Sequence, residues 1–222
     1  LFFLILTKCS LATHLVGGEM SYRCLGGNQY EITLTIFRDD VYGQAELDPT
    51  ARITIFNGLN NSFFRTEDIN LQNGTGTILP LDNNPCITNR PTDVRIERGI
   101  YKKTITLPAS ANGYKLVYQR CCRNNAVSNL LLIQGSGQGS TYTLNIPNTS
   151  LCNSTPVFNN QPPLFLCADS KLEFDMSATD ADGDQLVYSL CAPLQGLDDL
   201  EPLICGTCPI TSAQRPPYDS VI

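Results

Sequence analysis

Ten of the 222 residues are cysteine. Cysteines at this density are expected to form disulfides in an exported chain, because an oxidising compartment lets the bonds persist. Residues 1–6 form an apolar run too short to span a bilayer, and Ser10-Leu-Ala12 follows as a small-x-small cleavage pattern. We interpret residues 1–12 as the remnant of a secretory signal peptide. A lipoprotein signal at Cys9 is the weaker alternative, because Lys8 stands where a small residue is needed.

Nine cysteines remain after removal of that segment, so one thiol is free or pairs outside this sequence. The disulfide candidates are Cys24, Cys86, Cys121, Cys122, Cys152, Cys167, Cys191, Cys205 and Cys208. Each bridge contributes about 2–4 kcal/mol by restricting the unfolded chain.

Adjacent cysteines on a strand point to opposite faces, so Cys121 and Cys122 are not expected to bridge each other. We predict that Cys86 pairs with one of them and that Cys152–Cys167 closes a local loop. Cys205-Gly-Thr-Cys208 has the spacing of a redox motif or of half a zinc site. No second CxxC or His pair completes a zinc site, and the flanking prolines indicate a loop, so we predict a local disulfide.

Alternating apolar and polar residues predict an all-β protein. The sequence is 42% hydrophobic and only 16% charged, and it has no long run of helical periodicity. Turn chemistry such as Asn-Gly separates the candidate strands. We therefore predict an Ig-like β-sandwich domain over residues 13–150. Its strands are expected at residues 29–37, 51–56, 99–107, 113–120 and 140–146.

A second unit is predicted over residues 151–222, beginning in a Pro-rich passage. Strands are expected at residues 171–176 and 185–190. Two or three strands cannot bury a sandwich core alone. This region is therefore predicted to be the start of a second Ig-like or cadherin-like β domain, truncated at Ile222.

One short acidic segment suggests a metal ligand set. Asp180, Asp182 and Asp184 lie at i, i+2 and i+4 on a turn that contains Gly183. Ca²⁺ is bound by such oxygen ligands, although this spacing is not that of an EF-hand. We therefore consider calcium as a cofactor, with a plain acidic β-turn as the alternative.

Catalytic arrangements are hard to build from this sequence. The only histidine, His14, lies at the expected mature N-terminus, which excludes Ser-His-Asp and Cys-His arrangements in a core. Asp39-Asp40 and Asp198-Asp199 are interpreted as solvated surface acids, because adjacent acids diverge on a strand and no Trp is present. We interpret Arg120 and Arg123 as covering the paired cysteines rather than forming an anion site. The chain is therefore predicted not to be an enzyme.

The excess of acidic over basic residues limits the kinds of partner that the chain can bind. Removing residues 1–12, which contain Lys8, changes the formal net charge from −6 to −7. An acidic surface argues against nucleic acid and anionic lipid partners, and we expect no membrane insertion.

Several segments together resemble large Bacteroidota surface proteins. They occur in the order His14-Leu-Val-Gly-Gly-Glu-Met-Ser-Tyr-Arg-Cys24, Gly113-Tyr-Lys-Leu-Val-Tyr-Gln-Arg-Cys-Cys-Arg-Asn124, Cys152-Asn-Ser-Thr-Pro-Val-Phe158 and Ser177-Ala-Thr-Asp-Ala-Asp-Gly-Asp-Gln-Leu-Val-Tyr-Ser-Leu-Cys191. The resemblance covers nearly the whole mature chain and is to PKD-domain or gliding-motility-associated proteins. It implies export by a Sec signal and then the type IX system, with surface display, adhesion or assembly of an extracellular filament.

The resemblance implies no catalytic residues. The chain departs from it at Asp40 and Arg95, where relatives often carry cysteines, so one family disulfide is missing here. The expected function is a structural or adhesive module whose partners are other surface subunits, with a homopolymer included. The alternative is a glycan-binding module that uses Tyr22, Tyr42 and Tyr142 as exposed stacking rings.

Overall fold

A computed structural model describes residues 15–43, 46–81, 91–120, 123–124, 139–191 and 193–196. Apart from one 3₁₀ turn at Gln72–Gly74, these residues form strands and loops, as the all-β prediction requires. The strands are β1 (Leu15–Gly26), β2 (Gln29–Asp39), β3 (Thr50–Asn57), β4 (Phe63–Leu71), β5 (Thr77–Ile78), β6 (Ile96–Thr106), β7 (Tyr114–Arg120), β8 (Gly139–Ile146), β9 (Val157–Phe158), β10 (Ala178–Thr179) and β11 (Leu194–Gly196).

One large antiparallel sheet contains nine of these strands. Its order is β1-β2-β6-β4-β3-β7-β8-β11, and β5 pairs with β6 beside that path. The β4–β6 junction is short, since only Asn70 and Leu71 pair with Lys102 and Tyr101. The sheet therefore consists of two well-paired halves that are joined at a narrow corner.

The two halves enclose one core. Its side chains come from β1 to β4 and from β6 to β8, and the largest fully buried ones include Tyr30, Leu34, Ile55, Tyr101 and Leu116. The halves also approach each other where β1 passes β8. A Cβ placed on Gly18 would lie 2.9 Å from the ring of Tyr142, so this close approach requires glycine. The result is a sandwich-like fold.

A tight turn sets the register of the first hairpin. Gly27 and Asn28 connect β1 to β2, and both have positive φ angles, 58° and 62°. Two-residue hairpin loops with this backbone match the right-handed twist of their strands, and Gly and Asn adopt it at little cost. The turn pairs Gly26 with Gln29, and an irregularity at Leu25 then shifts the register by one residue and places Cys24 opposite Tyr30.

All five strands predicted before residue 150 are present, as β2, β3, β6, β7 and β8. Two long strands were not predicted: β1, whose alternation is interrupted by Gly17-Gly18, and β4, which carries several charged residues. The short strands β5, β9, β10 and β11 were not predicted either.

The two strands predicted after residue 170 are wrong. Residues 171–176 and 185–190 form no strand. Among the described residues after 150, the only strands are the short β9 and β10, which pair with each other, and β11, which pairs with β8. A strand needs a hydrogen-bonded neighbour, and no described segment provides one. Val187 and Leu190 are 87% and 96% exposed. The Ig-like topology and the second domain stay predictions.

Candidate functional site

The outer edge of β1 is closed by the segment that follows β8, and this closure is the main candidate site. Cys24 of β1 forms a disulfide with Cys152, and their Cα atoms are 5.4 Å apart. The predicted Cys152–Cys167 loop is therefore wrong. The local spacing suggested it, but the fold brings Cys152 to the first strand, 128 residues earlier in sequence.

Hydrogen bonds next to the disulfide continue the closure. Tyr22 N–H donates to Thr155 Oγ1 at 2.9 Å, and the hydroxyl in turn donates to the Tyr22 carbonyl at 3.1 Å. The N–H of Thr155 donates to the same carbonyl at 2.9 Å. Ser154 Oγ accepts the N–H of Cys24 at 3.3 Å. We call residues 152–155 the edge clamp, because they satisfy backbone groups that an edge strand would leave open.

The other cysteines are only partly described. Cys167 is disulfide-bonded, and Cys191 carries a free, exposed thiol. Cys86, Cys121, Cys122, Cys205 and Cys208 lie outside the described residues, so the predicted pairings among them stay predictions.

The acidic turn lies against the edge clamp. Asp182 Oδ2 accepts the N–H of Ser154 at 2.6 Å. Asp180 Oδ1 accepts the N–H groups of Asp182 and Asp184 at 2.9 and 3.1 Å, and Gly183 has a φ of 80°. Local hydrogen bonds therefore build the turn, and one acid ties it to the clamp.

The pKa of Tyr22 also reflects how close the acidic turn lies to β1. Burial raises the pKa of Tyr22 to about 12, with further contributions from Tyr30 and then from the carboxylates of Asp182, Asp180 and Asp184. Each nearby negative charge opposes formation of a second one on the phenol. The acidic turn is thus close enough to the first strand to influence it.

The calcium prediction can be compared with this geometry. The described residues contain no group of three or more His, Cys, Asp or Glu side chains arranged to hold a metal ion. One oxygen of Asp180 and one of Asp182 accept backbone N–H groups instead. Calcium binding stays a prediction.

Asp39 and Asp40 are not the solvated surface acids that we predicted. Asp39 is buried, and its Oδ1 accepts the N–H groups of Val41 and Tyr42 at 3.0 and 3.1 Å. Asn124 Nδ2 donates to its other oxygen at 3.3 Å. These bonds make Asp39 an organiser of the turn after β2. Asp198-Asp199 lies outside the described residues.

Asp40 belongs to a partly buried ion network. Arg38 Nη2 contacts Asp40 Oδ1 at 2.6 Å, and Arg38 Nε also pairs with Glu97. Arg95 pairs with the second oxygen of Asp40, and its carbonyl accepts the N–H of Asp40 at 2.8 Å. Asp40 and Arg95 are the two positions at which the family resemblance implies cysteines. They lie side by side, and an ion pair joins them.

The two arginines that flank the paired cysteines bind other groups. Arg120 pairs with Asp48, and burial together with the neighbouring Arg38 lowers the pKa of Arg120. Arg123 donates to the carbonyls of Gly139 and Leu194 at 3.0 and 2.9 Å, which ties β11 to β8. Both side chains have structural partners, and Cys121 and Cys122 lie outside the described residues.

The three tyrosines proposed as stacking rings do not share a surface role. Tyr22 is 5% exposed, and Tyr142 stacks on the buried Tyr118 with ring centroids 6.3 Å apart. Only Tyr42 is exposed, at 58%. The expectation that all three tyrosines are exposed is therefore wrong, because Tyr22 is buried in the core and Tyr142 packs partly buried against it. The glycan-binding alternative itself stays a prediction.

None of the described residues forms a helix that is long and apolar enough to cross a membrane. Comparison of the chain with protein-family models, with curated proteins and with solved structures finds no match. The family resemblance therefore rests on the sequence segments quoted above.

Sequence reasoning did not find the edge clamp. Ser154 and Thr155 are small polar residues of an unremarkable kind, and their partners are 130 and 133 residues away. One signal in the sequence could have pointed to it. Cys24 ends one of the segments on which the family resemblance rests, and Cys152 begins another.

Proposed function

We propose that the chain is a non-enzymatic structural or adhesive module of a secreted, cell-surface protein and serves as a subunit of an extracellular filament. The observation that carries this proposal is the Cys24–Cys152 disulfide, which fastens the first strand to the segment after the last long strand. A bond of this kind is typical of extracellular proteins, where it resists reduction.

The exposed apolar side chains after the edge clamp support association with other subunits. The large ones that are at least half exposed are Val157, Phe158, Leu166, Leu172, Met176, Val187, Tyr188 and Leu190. Large apolar side chains exposed at this density along one stretch of chain favour contact with another protein surface. We propose that other copies of the chain, or other subunits of the same surface assembly, cover them.

Two measurements test this proposal. Disulfide mapping of native material by mass spectrometry without reductant should recover the Cys24–Cys152 peptide pair from the surface fraction. Negative-stain microscopy of the same fraction should show fibres, whereas isolated beads would favour a tethered adhesin. Recovery of the chain only from the cell interior with all thiols reduced would overturn the proposal.

The association surface has its own test. Changing Val187 and Leu190 to Asp should weaken self-association in sedimentation experiments, because two exposed apolar side chains become charged. Leu59→Asp is the matched control, since Leu59 is also exposed but lies in the turn between β3 and β4. Equal loss of association in both variants would argue against this surface.

We further propose calcium as a ligand of Asp180, Asp182 and Asp184. The support is three carboxylates within five residues on a glycine turn that adjoins the edge clamp. Calorimetric titration with CaCl₂ should show saturable binding that Asp184→Asn weakens and that the exposed control Asp169→Asn retains. MgCl₂ titrated in the same way is the reference. If CaCl₂ and MgCl₂ gave the same heat with both variants, the proposal that this turn binds calcium would be wrong.

A further inference from the structure

The Cys24–Cys152 disulfide closes almost the entire sandwich into one covalent loop. Cys24 lies near the end of β1, and Cys152 follows β8, with 128 residues of sequence separation. Strands β2 to β8 all lie between the two cysteines. Of the residues that the structure describes, only the first nine of β1 and those after Cys152 lie outside the loop.

The segments outside the loop form a short path through the protein. From Leu15 the chain runs along β1 to Cys24, crosses the disulfide, and leaves through the edge clamp. A β-strand already rises 3.2–3.4 Å per residue, close to the limit of about 3.6 Å for a fully extended chain. The β1 segment therefore has little length left to give when it is pulled.

The edge clamp lies beside this path. Its bonds between Thr155 and Tyr22 join the outgoing chain to β1 two residues before Cys24. A pull on the outgoing chain meets these hydrogen bonds first and the covalent bond next. The hydrogen-bonded ladders of β2 to β8 are not in that series.

We propose that the disulfide is a mechanical shunt, which carries tension between the two ends of the chain past the sandwich and keeps the sandwich folded under load. This role deepens the proposed surface function and rests on it, since a surface module that holds a partner is pulled from its ends. Such a module transmits force without lengthening. Loss of the bond turns the same sandwich into an extensible element.

Single-molecule pulling on the full chain, attached by its two termini, tests the shunt. Without reductant, the traces should show no release of residues 25–151. Reductant added after folding should free them, because Cys152 is exposed to attack. The added contour length is about 45 nm, from a sequence separation of 128 between the two cysteines at about 3.5 Å per residue.

Two variants assign the effect to this bond. Cys24→Ser with Cys152→Ser should release part or all of that length without reductant, whereas Cys191→Ser should behave as the unchanged chain, since its thiol is free. Release of about 45 nm from the unchanged, unreduced chain would overturn the shunt. So would a double variant as inextensible as the unchanged chain. A chain that resists extension but is absent from the cell surface would instead overturn only the proposed surface function.

Discussion

Thr155 and Tyr22, 133 residues apart in sequence, are joined by three hydrogen bonds. The Thr155 hydroxyl accepts from the Tyr22 N–H and donates to the Tyr22 carbonyl, and the Thr155 N–H donates to that same carbonyl. One residue thus satisfies both outward backbone groups of a residue in β1. An edge strand with such a cap is protected from pairing with another chain at this point.

Thr155→Val should lower the free energy of unfolding by about 1–2 kcal/mol, because the Tyr22 N–H loses its acceptor in a partly buried place. Urea denaturation measures the change. Thr155→Ser keeps the hydroxyl and should recover most of the loss. Thr143→Val, on the exposed face of β8, should have little effect. A loss in the Ser variant with none in the Val variant would show that the methyl group, and not the hydroxyl, is what matters.

Arg38 should be far more important for stability than an exposed arginine. Arg38→Met leaves the carboxylates of Asp40 and Glu97 in a partly buried place without their shared partner, and we expect a loss of about 3–5 kcal/mol. Arg52→Met removes an exposed pair with Asp68 and should leave the denaturation midpoint nearly unchanged. Similar midpoints for the two variants would contradict the role of the buried network.

The sequence predicted those strands whose alternation is regular and whose inner residues are large. Leu34 and Ile36 in β2 show this pattern, and both are buried. It failed for β4, where Arg65 and Glu67 share the face of the buried Ile69. These charges interrupt the apolar pattern of that face, and on the opposite face Asp68 forms a cross-strand ion pair with Arg52 of β3.

The failures after residue 170 have the opposite cause. Residues 171–176 alternate as a strand should, but alternation describes only a side-chain pattern and provides no neighbour for the backbone groups. The edge clamp was missed because it depends on which distant segments the fold brings together. Asp39 was misjudged because its burial follows from the turn after β2, which local sequence does not reveal.

Asp40→Cys with Arg95→Cys should form a disulfide spontaneously. The two residues continue the antiparallel β2–β6 pairing, and a hydrogen-bonded antiparallel pair has a Cα separation of about 5.5 Å, within the disulfide range. Mass spectrometry should find the loss of two hydrogens in the double variant and in neither single variant. A reduced pair in the folded, air-oxidised protein would contradict this geometry.

Alkaline pH should destabilise the fold through its buried tyrosines. Burial, aided by Glu97, raises the pKa of Tyr101 to about 12, and Tyr22 has a similar value. The unfolded tyrosine loses its proton near pH 10, so the folded state is favoured below pH 10 and this advantage is lost as pH rises to 12. The loss is about 3 kcal/mol for each ring.

Denaturation midpoints measured from pH 8 to 12 test this expectation. Tyr101→Phe gives up the hydrogen bond from the hydroxyl to the Asp48 carbonyl, so it should be less stable near neutrality. The variant should also lose less stability between pH 10 and 12. Parallel pH profiles for the variant and the unchanged chain would show that Tyr101 does not contribute to the alkaline transition.

The distance in sequence between Tyr22 and the edge clamp also orders the events of folding. A chain that emerges from its N-terminus can form the β1–β2 hairpin early, because the turn at Gly27-Asn28 is local. The outer edge of β1 must then wait until residue 155 has emerged, since contacts between distant segments form only after the intervening chain is available. Until residue 152 has emerged, the thiol of Cys24 lacks its disulfide partner. A partly emerged chain can therefore form a disulfide from Cys24 to another thiol.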